Sequence, residues 1–156
     1  MLLNLRQRLA NRFFAILDSE GVVFFQAIVY TYLAVGGAYN AFIAHGAPPD
    51  IAHALGSFSP VWLALCMGAT ICLAGKVMAF DKRQFWVRTA GRYLELAGDL
   101  AAFGAFTGYV LAAVQESAWG DPLSSPFTYA ALATCAFFLC WRDLRRIKEA
   151  ELSVRG

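Results

Sequence analysis

The chain has 156 residues, enough for one domain. Its hydrophobic share is 59% and its charged share 15%, with a mean hydropathy of +0.52, whereas soluble domains run roughly 45–50% apolar and about 25% charged. The excess points to lipid as solvent; the net charge of +2 is uninformative by itself, and no nucleic-acid partner is expected.

Residues 2–17 form a basic amphipathic segment. At 100° per residue Leu2, Leu5, Leu9, Phe13, Ile16 and Leu17 share one face, and Asn4, Arg8, Asn11 and Arg12 the other. Such a helix lies in the membrane interface, with Arg6, Arg8 and Arg12 on anionic headgroups. The segment lacks the continuous apolar stretch and cleavage site of a secretory signal, so it is expected to be retained.

Four long apolar stretches follow, at about residues 22–44, 60–80, 91–114 and 124–141. A helix needs roughly 20 residues to cross about 30 Å of hydrocarbon. The first three meet this length. The fourth is shorter as an apolar run (127–141) and relies on a start near Ser124 and on Arg142 and Arg145 snorkelling to the interface. Helices are expected because unpaired backbone groups in lipid are costly. The outer connection around His45, Pro48, Pro49 and Asp50 stops the first span, the second connection is short and basic, and the third is rich in turn residues. After Trp141 the helix should run on through Arg142 to Leu152, with Arg145 and Glu149 as an i, i+4 pair.

All 13 cations fall before the first span, around the second connection or after the fourth span. The positive-inside rule then places both termini in the cytoplasm, in the cytoplasmic (inner) membrane. The fold expected is all-α: a four-helix transmembrane bundle with an N-terminal amphipathic interfacial helix and a basic cytoplasmic C-terminal extension over 142–156. Residues 1–156 would form a single integral membrane domain.

The polar groups inside the spans are the sharpest functional clues. Glu95 and Asp99 stand at i, i+4 on the third span, and Asp99 lies about 12 Å along it. Carboxylates at such depth cost roughly 2.5–3.5 kcal/mol and usually face other helices. Lys76 on the second span is expected at a similar depth, within reach of Glu95 or Asp99. The cluster is either a proton- or ion-handling site or a structural ion pair between helices.

Gly104-x-x-x-Gly108 on the third span, with Ala97 and Ala101 beside it, marks a surface for close helix packing, within one copy or between copies. Gly36, Gly37, Gly68 and Gly75 add further points of close approach. Cys66, Cys72, Cys135 and Cys140 lie within apolar runs without C-x-x-C spacing and read as small fillers. Trp62, Trp86, Trp119 and Trp141 read as an interfacial aromatic belt. His45, Asp50 and His53 share an outer loop but show no recognised metal spacing, so no metal is expected. No span carries a histidine for haem, and nucleophile–base arrangements and phosphate loops are missing. No cofactor and no enzymatic activity are expected.

The whole chain resembles the small four-span membrane proteins encoded beside lysis genes in phages of actinobacteria, some of them described as holins or holin-like. The resemblance rests on size, internal termini, compact outer loops and the cationic tail from Arg142 to Lys148. It implies a channel-like protein that permeabilises the cytoplasmic membrane as a homo-oligomer, since four helices leave little room for a pore within one copy. Two other classes fit the composition: a module binding another membrane complex, as accessory subunit or inhibitor, and a small transporter or enzyme for a lipid-soluble substrate.

Overall fold

A computed structural model describes residues 11–43, 60–80, 84–117 and 124–155. Regular structure among them is entirely helical: a short turn of helix over 11–17, then α1 (Glu20–Phe42), α2 (Pro60–Ala79), α3 (Phe85–Ser117) and α4 (Ser124–Arg155). The short segment stops where the chain kinks at Asp18 and Ser19. Ser19 then serves as the extended N-cap residue of α1, its carbonyl accepting from the Val22 and Val23 amides at 3.1 and 3.2 Å. Glu20 places a negative charge at the positive end of the α1 dipole. α2 opens on Pro60, a residue that needs no amide partner at the first helical position.

Among the described residues three helices are long and apolar enough to cross a membrane: α1, α2 and residues 85–114 of α3. The third begins two turns before the expected start at 91, because Thr89, Arg88 and their neighbours carry no helix breaker. α4 spans 32 residues without interruption, about 48 Å by helical rise, and joins the apolar run to the basic tail as one rod. Arg145 and Glu149 pair across one turn of it at 2.6 Å.

The helices pack in chain order, α1 on α2, α2 on α3 and α3 on α4. α2 and α3 approach most closely, through glycines spaced two turns apart on each. A Cβ at Gly98 would come 2.5 Å from the Gly68 carbonyl oxygen, and one at Gly91 would come 2.6 Å from that of Gly75. Gly37 does the same for α1, where a Cβ would lie 2.8 Å from the Trp62 carbonyl oxygen of α2.

Gly37, Gly68 and Gly75 thus provide the close approaches expected of them, whereas Gly104 and Gly108 find no partner within one copy among the described residues. Both have open space where a side chain would stand. Ala97 is exposed on the same side. Ala101 does pack, with its Cβ 2.7 Å from the place a Gly68 Cβ would occupy. The reason is register: the stripe that meets α2 is Gly91, Gly98 and Ala101, rotated away from Gly104 and Gly108.

The apolar core sits in the half of the helices remote from the basic residues. It is built from Leu65, Ala69, Ala102, Ala105, Phe106, Ala133 and Ala136, with Tyr109 and Ala113 beyond. α1 and α4 make no close backbone contact among the described residues. An apolar cleft of about 300 Å³ separates them, lined by Val22, Val29, Leu132 and Leu139 among others.

Candidate functional site

At the basic end the core is polar. Each of the first three helices contributes an i, i+4 pair to it: Gln26 and Tyr30 from α1, Cys72 and Lys76 from α2, Glu95 and Asp99 from α3. Such pairs stand one above the other on a helix face. α4 adds Arg142 and Asp143. Every one of these eight residues is buried.

Two layers can be distinguished. In the outer one, Lys76 Nζ lies 3.6 Å from Glu95 Oε2, and Arg142 Nη2 lies 3.7 Å from the same oxygen. Arg142 also grips its neighbour Asp143, with Nη2 at 2.8 Å and Nε at 2.9 Å from Oδ1. In the inner layer, Asp99 accepts from Gln26 Nε2 at 2.9 and 3.2 Å, from the Tyr30 hydroxyl through a short bond, and from Cys72 Sγ at 3.5 Å.

Gln26 joins the layers. Its carbonyl oxygen accepts from Lys76 at 2.8 Å and Arg142 at 3.1 Å, while its amino group faces the Asp99 carboxylate. An amide is suited to this place because it offers an acceptor to cations on one side and donors to an anion on the other. Arg142 Nη1 and Asp143 Oδ2 are buried without a protein partner among the described residues.

The network therefore unites Lys76, Glu95 and Asp99, the three charged residues picked out in the sequence, although Lys76 meets Glu95 rather than Asp99. Five members were not foreseen. Cys72 had read as a filler, and Gln26 and Tyr30 each stand alone as polar groups in an apolar run. Their four-residue separation was the available signal.

Arg142 requires a correction. Snorkelling would leave its head in solvent, yet the residue is 0% exposed. The buried stripe of α4 runs through Ala133, Ala136, Cys140, Asp143 and Ile147, and Arg142 lies beside it. Its guanidinium therefore points inward, where carboxylates receive it. Arg145, by contrast, does reach outward, stacking its guanidinium 4.5 Å from the Phe14 ring.

Towards the basic edge, Arg146 pairs with Asp18 at 2.8 Å, and Arg92 Nη1 donates to the Arg146 carbonyl at 3.0 Å. Arg12 is exposed on the helical segment, while Arg6, Arg8, His45, Asp50 and His53 lie outside the described residues. Among the described residues no three His, Cys, Asp or Glu side chains are grouped to hold a metal ion.

A cavity of about 730 Å³ opens between α1 and α2 and reaches the outer layer of the network. Lys76 and Glu95 form its deep wall, with Arg92 and Arg146 beside them. Val23, Ala27 and Leu73 make its sides. Phe24, Val77 and Phe80 at the rim are 69%, 75% and 73% exposed. Ligand pockets commonly measure about 300–1,000 Å³ and combine apolar walls with a few placed polar groups. In the other direction the polar column ends at Asp99 and Tyr30, against Leu65, Ala69, Ala102 and Phe106.

Comparison with known proteins finds no family model, curated protein or solved structure that matches the chain.

Proposed function

We propose that the chain is a four-span protein of the cytoplasmic membrane, with both termini cytoplasmic, that binds an amphiphilic molecule from the inner leaflet without performing covalent chemistry on it. The cavity between α1 and α2 carries the reading. Its exposed Phe24, Val77 and Phe80 offer an apolar entrance, and Lys76 with Glu95 a polar end wall. An amphiphile has the same order of parts.

Charges deep in a membrane protein usually mark a function or line water. Here they turn towards one another inside a single copy, which supports a site within the copy over a pore between copies. Treatment of membranes with a phospholipid carrying a photoactivatable diazirine on its acyl chain tests the reading. Label should map to Phe24 of α1, to Val77 of α2 and to Phe80 just after it. Ala27→Phe, which fills the cavity from α1, should cut that labelling several-fold while labelling elsewhere persists. Unchanged labelling in Ala27→Phe sinks the proposal.

A second reading is the holin-like one, a homo-oligomer that permeabilises the membrane. One observation favours it: Gly104 and Gly108 leave open space along α3, beside exposed Leu100 and Leu111. A second copy is able to approach closely there.

A further inference from the structure

We propose that the cavity between α1 and α2 takes the headgroup of a phospholipid bearing both a phosphate and a primary ammonium, with Arg92 receiving the phosphate and Glu20 the ammonium. This rests on the binding reading above and names the class of its ligand.

The argument starts from the charges that line the cavity: Lys76, Arg92 and Arg146 against Asp18, Glu20 and Glu95. Four of these are occupied with one another. Lys76 lies 3.6 Å from Glu95, and Arg146 lies 2.8 Å from Asp18. Arg92 and Glu20 form no ion pair among the described residues. Arg92 commits Nη1 to the Arg146 carbonyl, and a guanidinium has five N–H donors in a planar fork, so donors remain for an anionic oxygen. Glu20 is exposed in the first turn of α1.

The cations and anions balance, so a purely anionic headgroup would meet repulsion as well as attraction. A headgroup with separated charges of both signs meets, for each, one side chain that forms no ion pair among the described residues. The ammonium is expected to be primary because a carboxylate accepts hydrogen bonds from it, whereas a quaternary ammonium has no N–H to offer. Around the charges the walls are apolar, from Val23, Phe24, Leu73, Val77 and Phe80. The exposed Phe24, Val77 and Phe80 offer a surface for the acyl chains of the same molecule. One ligand thus accounts for both the signs and the walls.

Native mass spectrometry of the full chain, released from micelles containing equal amounts of phosphatidylethanolamine, phosphatidylcholine and phosphatidylglycerol with identical acyl chains, tests the assignment. The ethanolamine lipid should be retained about threefold over each of the others, the scale of a partly solvated ion pair. Glu20→Gln should abolish the advantage of ethanolamine over choline while total retained lipid stays close to the parent. Arg92→Gln should lower retention of all three. Circular dichroism of both variants confirms that they keep their helices; a variant that loses them is replaced by Glu20→Ala or Arg92→Lys.

Equal retention of the three lipids by the parent overturns the headgroup assignment, as does preference for the glycerol or the choline lipid. An unaltered preference in Glu20→Gln overturns it as well. The cavity reading fails separately, through photolabelling that Ala27→Phe does not reduce.

Discussion

Lys76 and Arg142 share one carboxylate oxygen of Glu95, and this sharing sets what each is worth. Removing one partner of a buried pair typically costs about 3–5 kcal/mol because the remaining charge is stranded. Lys76→Met leaves Glu95 still facing Arg142, so its cost should fall near the lower end of that range. Arg142→Met strands Asp143 as well as weakening the hold on Glu95 and Gln26, and should be the more destabilising. Adding Glu95→Gln to Lys76→Met should recover part of the loss. Unfolding in mixed micelles with rising dodecyl sulfate measures all three; a double variant as unstable as the sum of its singles would show that Lys76 and Glu95 do not interact. Glu95 and Asp99 were legible in the sequence because a carboxylate among alanines and leucines has no ordinary place in lipid. Gln26, Tyr30 and Cys72 were not, since each is tolerable alone in an apolar helix. Only the packing of α1 and α2 against α3 brings them to Asp99. Arg142 was misplaced for a related reason: a cation at the end of an apolar run has the same sequence signature whether it turns outward or inward.

The rotation of α3 about its own axis decides which glycines matter. Gly91 and Gly98 face α2, and Gly104 and Gly108 do not. Gly98→Ala would press a methyl group to within 2.5 Å of the Gly68 carbonyl oxygen and the Cys72 Cβ. Both neighbours are backbone or nearly so and cannot step aside. Overpacking of this kind costs about 1–3 kcal/mol, and Gly98→Ala should lower the thermal midpoint in detergent accordingly. Gly108→Leu should leave that midpoint unchanged. If the second reading holds, it should remove both cross-linked ladders and membrane leakage seen with the parent; a parent that shows neither, or a variant that keeps both, removes the homo-oligomer. Helix identity was readable from the length of apolar runs and the breakers between them, but not the two extra turns at the start of α3, which lie outside the apolar run. Which small-residue stripe does the packing was not, because G-x-x-x-G and the two-turn spacing of Gly91 and Gly98 are equally compatible with close approach. Rotational setting follows from the buried polar groups, which pull Glu95 and Asp99 inward and carry Gly91 and Gly98 with them.

At the scale of the whole molecule, the one-sided distribution of cations predicts that tags at Met1 and Gly156 both report from the cytoplasm. Cysteines substituted for Ala47 and Ser124 should label from outside; labelling of Ser124 only after membranes are broken would overturn four spans. α4 makes this test necessary, for it is not among the helices apolar enough to cross by composition. The unequal tightness of the helix contacts has its own consequence. α2 and α3 approach backbone to backbone at two points two turns apart, where neither helix has room for a side chain. α1 is held differently. It is pinned to α2 at Gly37, near its far end, and at the basic end it is flanked by a cavity on one side and an apolar cleft on the other. There the side chains of Gln26 and Tyr30 tie it to the network. The first helix is thus fixed by close backbone approach at Gly37 and by side-chain hydrogen bonds at Gln26. If the cavity takes a ligand as proposed, a guest wide enough to part α1 from α2 would strain the hydrogen bonds of Gln26, so that binding would be felt by the internal charges.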